Sequence, residues 1–224
     1  MKITWLGQAG LLFETAGQKI MIDPYLSDSV EKINPKNYRR AAVDEALFEI
    51  QPDIMIFTHC HLDHYDPETV AHFLTPETKM LVLAPSAVGG EIRKIGGDTN
   101  YVQFDRHTSW TEHGIRFTAV KAEHSDTYAI GVLIEDGEKT YYVTGDTLYN
   151  EEIFKDLPDD IYAVFLPING VGNNMNMTDA ARFAKRSKAQ KVVPLHFGMF
   201  DELDPEGFVC ENRVIPKLYQ EIEV

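Results

Sequence analysis

Cysteine is nearly absent: Cys60 and Cys210 are the only two in 224 residues, too few for a disulfide framework. Basic residues are also scarce. Against 35 Asp and Glu stand 21 Lys and Arg, for a net charge of −14, which argues against a nucleic-acid surface because phosphate backbones are held by clustered cations. Arg39-Arg40 is the only adjacent arginine pair. No apolar run is long enough to span a bilayer, and no basic amphipathic segment marks a membrane surface. The stretch Met1-Lys2-Ile3-Thr4-Trp5-Leu6-Gly7 enters a strand-like pattern without the apolar region of a signal peptide. Internal repeats and low-complexity tracts are missing too. These absences lead us to expect a reduced, cytoplasmic protein with no nucleic-acid and no membrane partner.

A hydrophobic content of 44% suffices for one substantial core, so residues 1–224 are expected to form one domain. Lys2 to Leu6, Gly10 to Glu14 and Gln18 to Ile22 read as an antiparallel meander punctuated by Gly7, Gly10 and Gly17. Ser27 to Asn37 is polar and loop-like, and Val43 to Ile50 has helical spacing. Asp66-Pro67-Glu68 opens a short helix. Lys79 to Leu83 is a predicted strand, and Pro85 to Ile95 a helix stopped by Gly96-Gly97. Further strands are expected at Val102 to Phe104, Gly114 to Ala122 and Ala129 to Glu135, with Asp136-Gly137 turning the last into Lys139 to Thr144. The order then becomes helix (Glu151 to Leu157), strand (Ile161 to Ile168), Gly/Asn loop (Asn169 to Met177), helix (Thr178 to Ser187, capped by Thr178) and strand (Lys191 to Leu195). Two packed sheets with helices outside is the expected architecture.

The most informative stretch is His59-Cys60-His61-Leu62-Asp63-His64, directly after the apolar segment Asp53 to Thr58. Residues i and i+2 of an extended chain point to one side, so His59 and His61 can grip one cation as the strand ends. Asp63 and His64 follow where the chain turns, and can serve a second. Burying four such side chains without metal would leave several polar groups in need of partners. Cys60 would point the other way, as a small buried filler. The same grammar of an apolar run followed by a coordinating side chain recurs at His124, Asp146 and His196.

The ordered set His59-x-His61-x-Asp63-His64, His124, Gly145-Asp146-Thr147 and His196, with Asp23 as an early aspartate, resembles the metallo-β-lactamase superfamily. The resemblance implies an αβ/βα four-layer sandwich of two mixed sheets with the metals at one edge. It also implies that His59, His61 and His124 hold one ion, that Asp63, His64 and His196 hold the other, and that Asp146 bridges them. Asp23 would orient a ligand, or else simply form the turn before Pro24. Asp23, Asp63 and Asp146 are therefore the candidate catalytic carboxylates. Trp5-Leu6-Gly7, Gly145 to Tyr149, the Asn169-Gly170 loop and Val193 to Gly198 are most similar to the ascorbate 6-phosphate lactonase-like metal-dependent hydrolases. Many of those relatives carry histidine where this chain has Gln8, a change that bears on contacts around the site rather than on metal binding.

Seven imidazole and carboxylate ligands suit two divalent ions, zinc or manganese first and iron next. Histidine at position 61 argues, by family analogy, against the di-iron oxygen-reducing branch. Two such ions hold a water or hydroxide between them and polarise a carbonyl or phosphoryl oxygen, so hydrolysis of a small, anionic ester or lactone is the expected activity. Arg39 and Arg40 could meet a substrate phosphate or be solvated. The alternatives are a phosphodiesterase of the same superfamily and a non-catalytic metal or ligand binder. The Asn169 to Asn176 stretch is either a connector or a substrate-facing loop. A homo-oligomer is compatible with everything above.

Overall fold

The computed structural model describes residues 1–15 and 17–224, and each half of the chain builds one sheet. Strands β1 (Lys2–Gly7), β2 (Gly10–Thr15), β3 (Gln18–Ile22), β4 (Ile54–Ile56), β5 (Leu81–Ala84) and β6 (Asn100–Gln103) lie side by side in chain order. Strands β7 (Ser109–Glu112), β8 (Ile115–Lys121), β9 (Ile130–Glu135), β10 (Thr140–Val143), β11 (Ala163–Pro167) and β12 (Lys191–Leu195) do the same in the second sheet. In both, antiparallel neighbours come first, from β1 to β3 and from β7 to β10. Parallel neighbours follow, from β3 to β6 and from β10 to β12. Parallel pairing needs long crossovers, and these carry helices α2 (Pro67–Phe73), α3 (Ser86–Ile95) and α4 (Met177–Ser187).

The two-residue period of the strands decides the layers. Ile20, Ile22, Ile54, Ile56, Leu81 and Leu83 join the cluster containing Phe117, Val132 and Phe165 of the other sheet. Met21, Met55 and Val82 alternate with them and pack with Val70, Phe73, Val88 and Ile92 of α2 and α3. On the second sheet Tyr142 meets Phe183 of α4, with ring centroids 6.2 Å apart. The result is the expected four layers, helices on two mixed sheets on helices. No helix among the described residues is long and apolar enough to cross a membrane.

Several local expectations are corrected. Ser27 to Asn37 is not all loop, for it contains α1 (Ser29–Ile33). That turn is pinned locally, where the Val30 N–H donates to the Tyr25 hydroxyl, and by the ion pair of Lys32 with Glu68 of α2. Val43 to Ile50 and Glu151 to Leu157 shrink to single 3-10 turns, Glu45–Glu49 and Glu151–Lys155, capped by Asp44 and Asn150. Segments this short gain too little from an α-helical ladder. α4 starts at Met177 with Asn176 as its cap, accepting from the Asp179 N–H, so Thr178 lies inside the helix. β7 went unforeseen because an edge strand of sequence Ser-Trp-Thr-Glu has no apolar alternation to read.

Candidate metal centre

The candidate residues all follow the C-terminal ends of strands: Gln8 after β1, Asp23 after β3, His59 to His64 after β4, His124 after β8, Asp146 after β10 and His196 after β12. The two sheets meet at this edge. The Ile130 N–H donates to the Thr58 carbonyl at 3.0 Å, and the His196 N–H to the Gln8 carbonyl at 3.0 Å. Gly145 makes the approach possible. It has φ +60°, and a Cβ there would lie 2.8 Å from the Ile130 carbonyl oxygen. Gln8, Asp23 and His196 also adopt left-handed backbone, at φ 49°, 45° and 60°. Such positions cost about 1–2 kcal/mol each for residues with a Cβ.

Three imidazoles converge first. His59 Nε2 lies 3.1 Å from His61 Nδ1, and His124 Nε2 lies 3.0 Å from the same atom. Nitrogens sharing one tetrahedral ion at the usual bond length sit about 3.3 Å apart, so the set is within a few tenths of an ångström of a ligand shell. The i, i+2 relation between His59 and His61 is thus realised. Burial, helped by neighbouring His64, holds the His59 imidazole well below its ordinary pKa, and burial also lowers that of His124. Both favour the neutral, ligating form.

A second group of Asp63, His64 and His196 lies beside it, and a third of His59, His64 and Asp146 overlaps both. Asp146 spans the two halves. Its Oδ1 is 3.2 Å from His64 Nε2, and its Oδ2 is 3.2 Å from His196 Nε2. Asp63 Oδ2 is 3.3 Å from His196 Nε2. His64 Nε2 and Asp146 Oδ1 are both buried and neither makes a hydrogen bond despite their closeness. Buried polar atoms without partners are rare; two of them facing one another fit a cation between them. Burial alone would push the His64 and His196 imidazoles down, but Asp146 and the other carboxylates outweigh it. His196 is raised to about 9 and His64 well above its usual range. Asp63 and Asp146 are held low in turn, because the His64 and His196 imidazoles overcome the effect of burial.

Around this lies a shell of orienting contacts. Asp23 Oδ2 lies 2.8 Å from His64 Nδ1, and Asp23 accepts from both the N–H and the hydroxyl of Thr58. Asp23 therefore does more than form the turn before Pro24: it contacts the candidate ligand His64. Gln8 Nε2 donates to Asp63 Oδ2 at 2.8 Å, which places this departure from the resembled pattern directly beside the site. Cys60 corrects the sequence reading: it is exposed, because the chain has already left the sheet there, and its N–H donates to Asp126 Oδ2. Asp126 escaped sequence reasoning, whereas Thr58 and Asn174 were legible only as members of the histidine motif and of the Gly/Asn loop.

An open cavity of about 440 Å³ adjoins the cluster, lined among others by Gln8, Asp63, Asp146, Asn169, Val171 and His196. The Gly/Asn loop thus lines this cavity instead of only connecting β11 to α4. Among the described residues no Lys or Arg lines the cavity. Arg39 instead donates to the Tyr25 carbonyl and the Tyr219 hydroxyl, and Arg40 lies over the Tyr38 ring. The phosphate-binding role considered for this pair has no support in their positions.

Comparison with known proteins agrees with the geometry. The sequence profile of the Beta-lactamase superfamily domain matches residues 18–197. A UPF0173 metal-dependent hydrolase of Anoxybacillus flavithermus is 30% identical over 232 residues, covering 93% of this chain and 92% of that protein. Another from Thermoplasma acidophilum is 29% identical over 245 residues, covering 100% and 99%. Among solved structures, a possible metal-dependent hydrolase of Veillonella parvula has a TM-score of 0.82 at 16% identity, covering 100% of this chain and 99% of that one. The isothiocyanate hydrolase from Delia radicum gut bacteria has a TM-score of 0.79 at 20% identity, covering 100% and 99%. The match of profile and relatives over nearly the whole length establishes that the chain belongs to the beta-lactamase superfamily and, within it, to the UPF0173 family of metal-dependent hydrolases.

Proposed function

We propose that the protein is a dinuclear metal-dependent hydrolase of small, uncharged esters or lactones. His59, His61 and His124 would hold one ion, Asp63, His64 and His196 the other, with Asp146 shared. The observation that carries this reading is the facing pair of buried, unpartnered atoms, His64 Nε2 and Asp146 Oδ1, beside an open cavity that Asp146 lines. Bound divalent ions supply Lewis acidity toward a carbonyl and lower the pKa of a coordinated water toward about 7. The mixed nitrogen and oxygen donor set suits zinc or manganese, with iron next.

The protein's own groups do the rest. Asp23, with Thr58, fixes the His64 ring, and Gln8 holds Asp63. Cavity walls bearing Asn169, Asn173 and Ser125 offer neutral hydrogen-bonding groups, while Val30, Val171 and Phe200 offer apolar surface. With no basic side chain among the described residues of the wall, a substrate phosphate would have only the metal centre and these neutral donors to hold it, which favours an uncharged ester over the anionic one expected from the sequence. The lactone preference rests on the resemblance of the Trp5-Leu6-Gly7, Gly145 to Tyr149 and Val193 to Gly198 segments to the lactonase-like branch.

The test is metal analysis of the purified protein joined to a hydrolysis screen with lactones, neutral esters and bis-p-nitrophenyl phosphate after loading with zinc or manganese. Turnover of lactones or esters is the expected result. Hydrolysis of the phosphodiester alone would replace this reading with a phosphodiesterase, and bound metal with no turnover in any class would favour a binder.

A further inference from the structure

The loop between β11 and α4 touches every ligand-type residue that lies beyond the His59 to His64 segment. The Asn173 carbonyl is 3.2 Å from His124 Nδ1, Asn174 Nδ2 donates to Asp146 Oδ2 at 2.8 Å, and the Asn169 amide nitrogen is 2.9 Å from His196 Nδ1. These three partners end three different strands. One loop therefore holds together what the sequence scatters over more than seventy positions.

Asn174 is the most committed of the group. It is 4% exposed, and its Oδ1 accepts the Thr147 N–H at 3.0 Å. The Met175 N–H donates to the Thr147 carbonyl at 2.9 Å, which ties the loop to the strand end on both sides of the peptide. Because the oxygen side of the amide is taken by a peptide N–H, only its NH₂ can face Asp146. Thr147 Oγ1 accepts the Glu123 N–H at 2.9 Å, so the same knot reaches the residue before His124.

We propose that Asn174 is a positioning residue of the metal centre: wedged between the Thr147 N–H and Asp146 Oδ2, its carboxamide turns Asp146 so that Oδ1 faces His64, and so sets how tightly the ions are held. The inference rests on the metal reading above. Asn174 acts through Asp146. A single neutral donor on one oxygen removes the free rotation of the carboxylate and leaves its remaining lone pairs for metal. The tip of the same loop, Val171 and Gly172, lines the cavity, so the element that orients Asp146 is also one that substrate would touch.

The experiment compares wild-type protein with Asn174→Ala and Asn174→Asp, each stripped with chelator and reloaded with zinc. Affinity is read by competition with a chelating dye, stoichiometry by elemental analysis, and Tm with and without zinc. Asn174→Asp keeps the acceptor for Thr147 but sets a carboxylate oxygen against Asp146. Both variants should bind zinc about 10–100-fold more weakly, Asn174→Asp at least as weakly as Asn174→Ala, and the rise in Tm on adding zinc should shrink. A purely structural Asn174 would lower the Tm of stripped protein and leave zinc affinity at the wild-type value; that result overturns the proposal. If Asn174→Ala does not fold, Asn174→Asp and Asn174→Ser carry the same comparison. Wild-type protein that takes up neither zinc nor manganese overturns the metal reading and this inference together, whereas wild-type uptake with unchanged variants overturns this inference alone.

Discussion

Asp23 Oδ2 lies 2.8 Å from His64 Nδ1, and both side chains are fully buried. With Asp23 as the partner of Nδ1, Nε2 is the nitrogen that faces Asp146. A left-handed residue at the end of β3 thus orients the ring of a residue more than forty positions away.

Asp23→Asn keeps the size of the side chain but gives up one of the oxygens shared between Thr58 and His64. Zinc affinity should fall about 10–100-fold, read by chelator competition. Asp23→Ala should in addition lower the Tm of stripped protein, since it leaves buried donors on Thr58 and His64 unpaired, at about 1–3 kcal/mol each. Wild-type affinity in both variants would remove Asp23 from the centre.

Deleting ligands should separate the two ions. Asp63→Ala and His196→Ala are expected to retain one ion per chain, and so are His61→Ala and His124→Ala, but from the opposite half. Elemental analysis gives the count, and the spectrum of cobalt-substituted protein distinguishes the halves. Unchanged stoichiometry in Asp63→Ala or His196→Ala would sink the ligand assignment.

The pH dependence should invert on loading. In stripped protein His196 is raised to about 9, and His64 is raised too, by their carboxylate neighbours. A raised pKa adds stability that is fully present below the unfolded value of about 6.5 and lost as pH climbs through the folded one. Stripped protein should therefore lose stability between about pH 6.5 and 9, as followed by urea titration. Metal must displace these protons, so binding at pH 7 releases protons and tightens as pH rises. Stripped protein that gains stability over this window would contradict the carboxylate–imidazole cluster.

Arg39→Ala should act on stability and not on turnover. Its guanidinium donates to the Tyr25 carbonyl and the Tyr219 hydroxyl and lies over the Tyr25 ring. Hydrogen bonds to charged groups contribute about 1.5–3 kcal/mol, so a loss of roughly that size is expected in denaturant melts, with KM for any substrate unchanged. A raised KM at unchanged Tm would return Arg39 to the substrate site.

The two sheets were legible because apolar residues at i and i+2, such as Ile20 and Ile22 or Ile54 and Ile56, repeat with the period of a strand. So was the metal motif, since His59 and His61 are neighbours along the chain and local geometry alone puts them on one side. The helical spacing of Val43 to Ile50 overstated what folds as the 3-10 segment Glu45–Glu49, capped locally by Asp44, and the polar edge strand Ser109–Glu112 lacks a periodic signal. Cys60 was misplaced for a related reason: alternation predicts which side a residue faces, but not whether another layer covers that side.

Periodicity along the chain carried the architecture, and the spacing of His59 to His64 together with the family resemblance carried the candidate donor groups, because these follow from local chemistry. Only tertiary structure decided the arrangement of the centre: that Asp146 reaches His64 with one oxygen and His196 with the other, that Asn174 holds it there, that Gln8 touches Asp63, and that Arg39 serves Tyr25 and not the cavity. Those contacts join strand ends from two sheets across many tens of residues, and their distances are set by how the sheets pack at one edge, which no local pattern encodes.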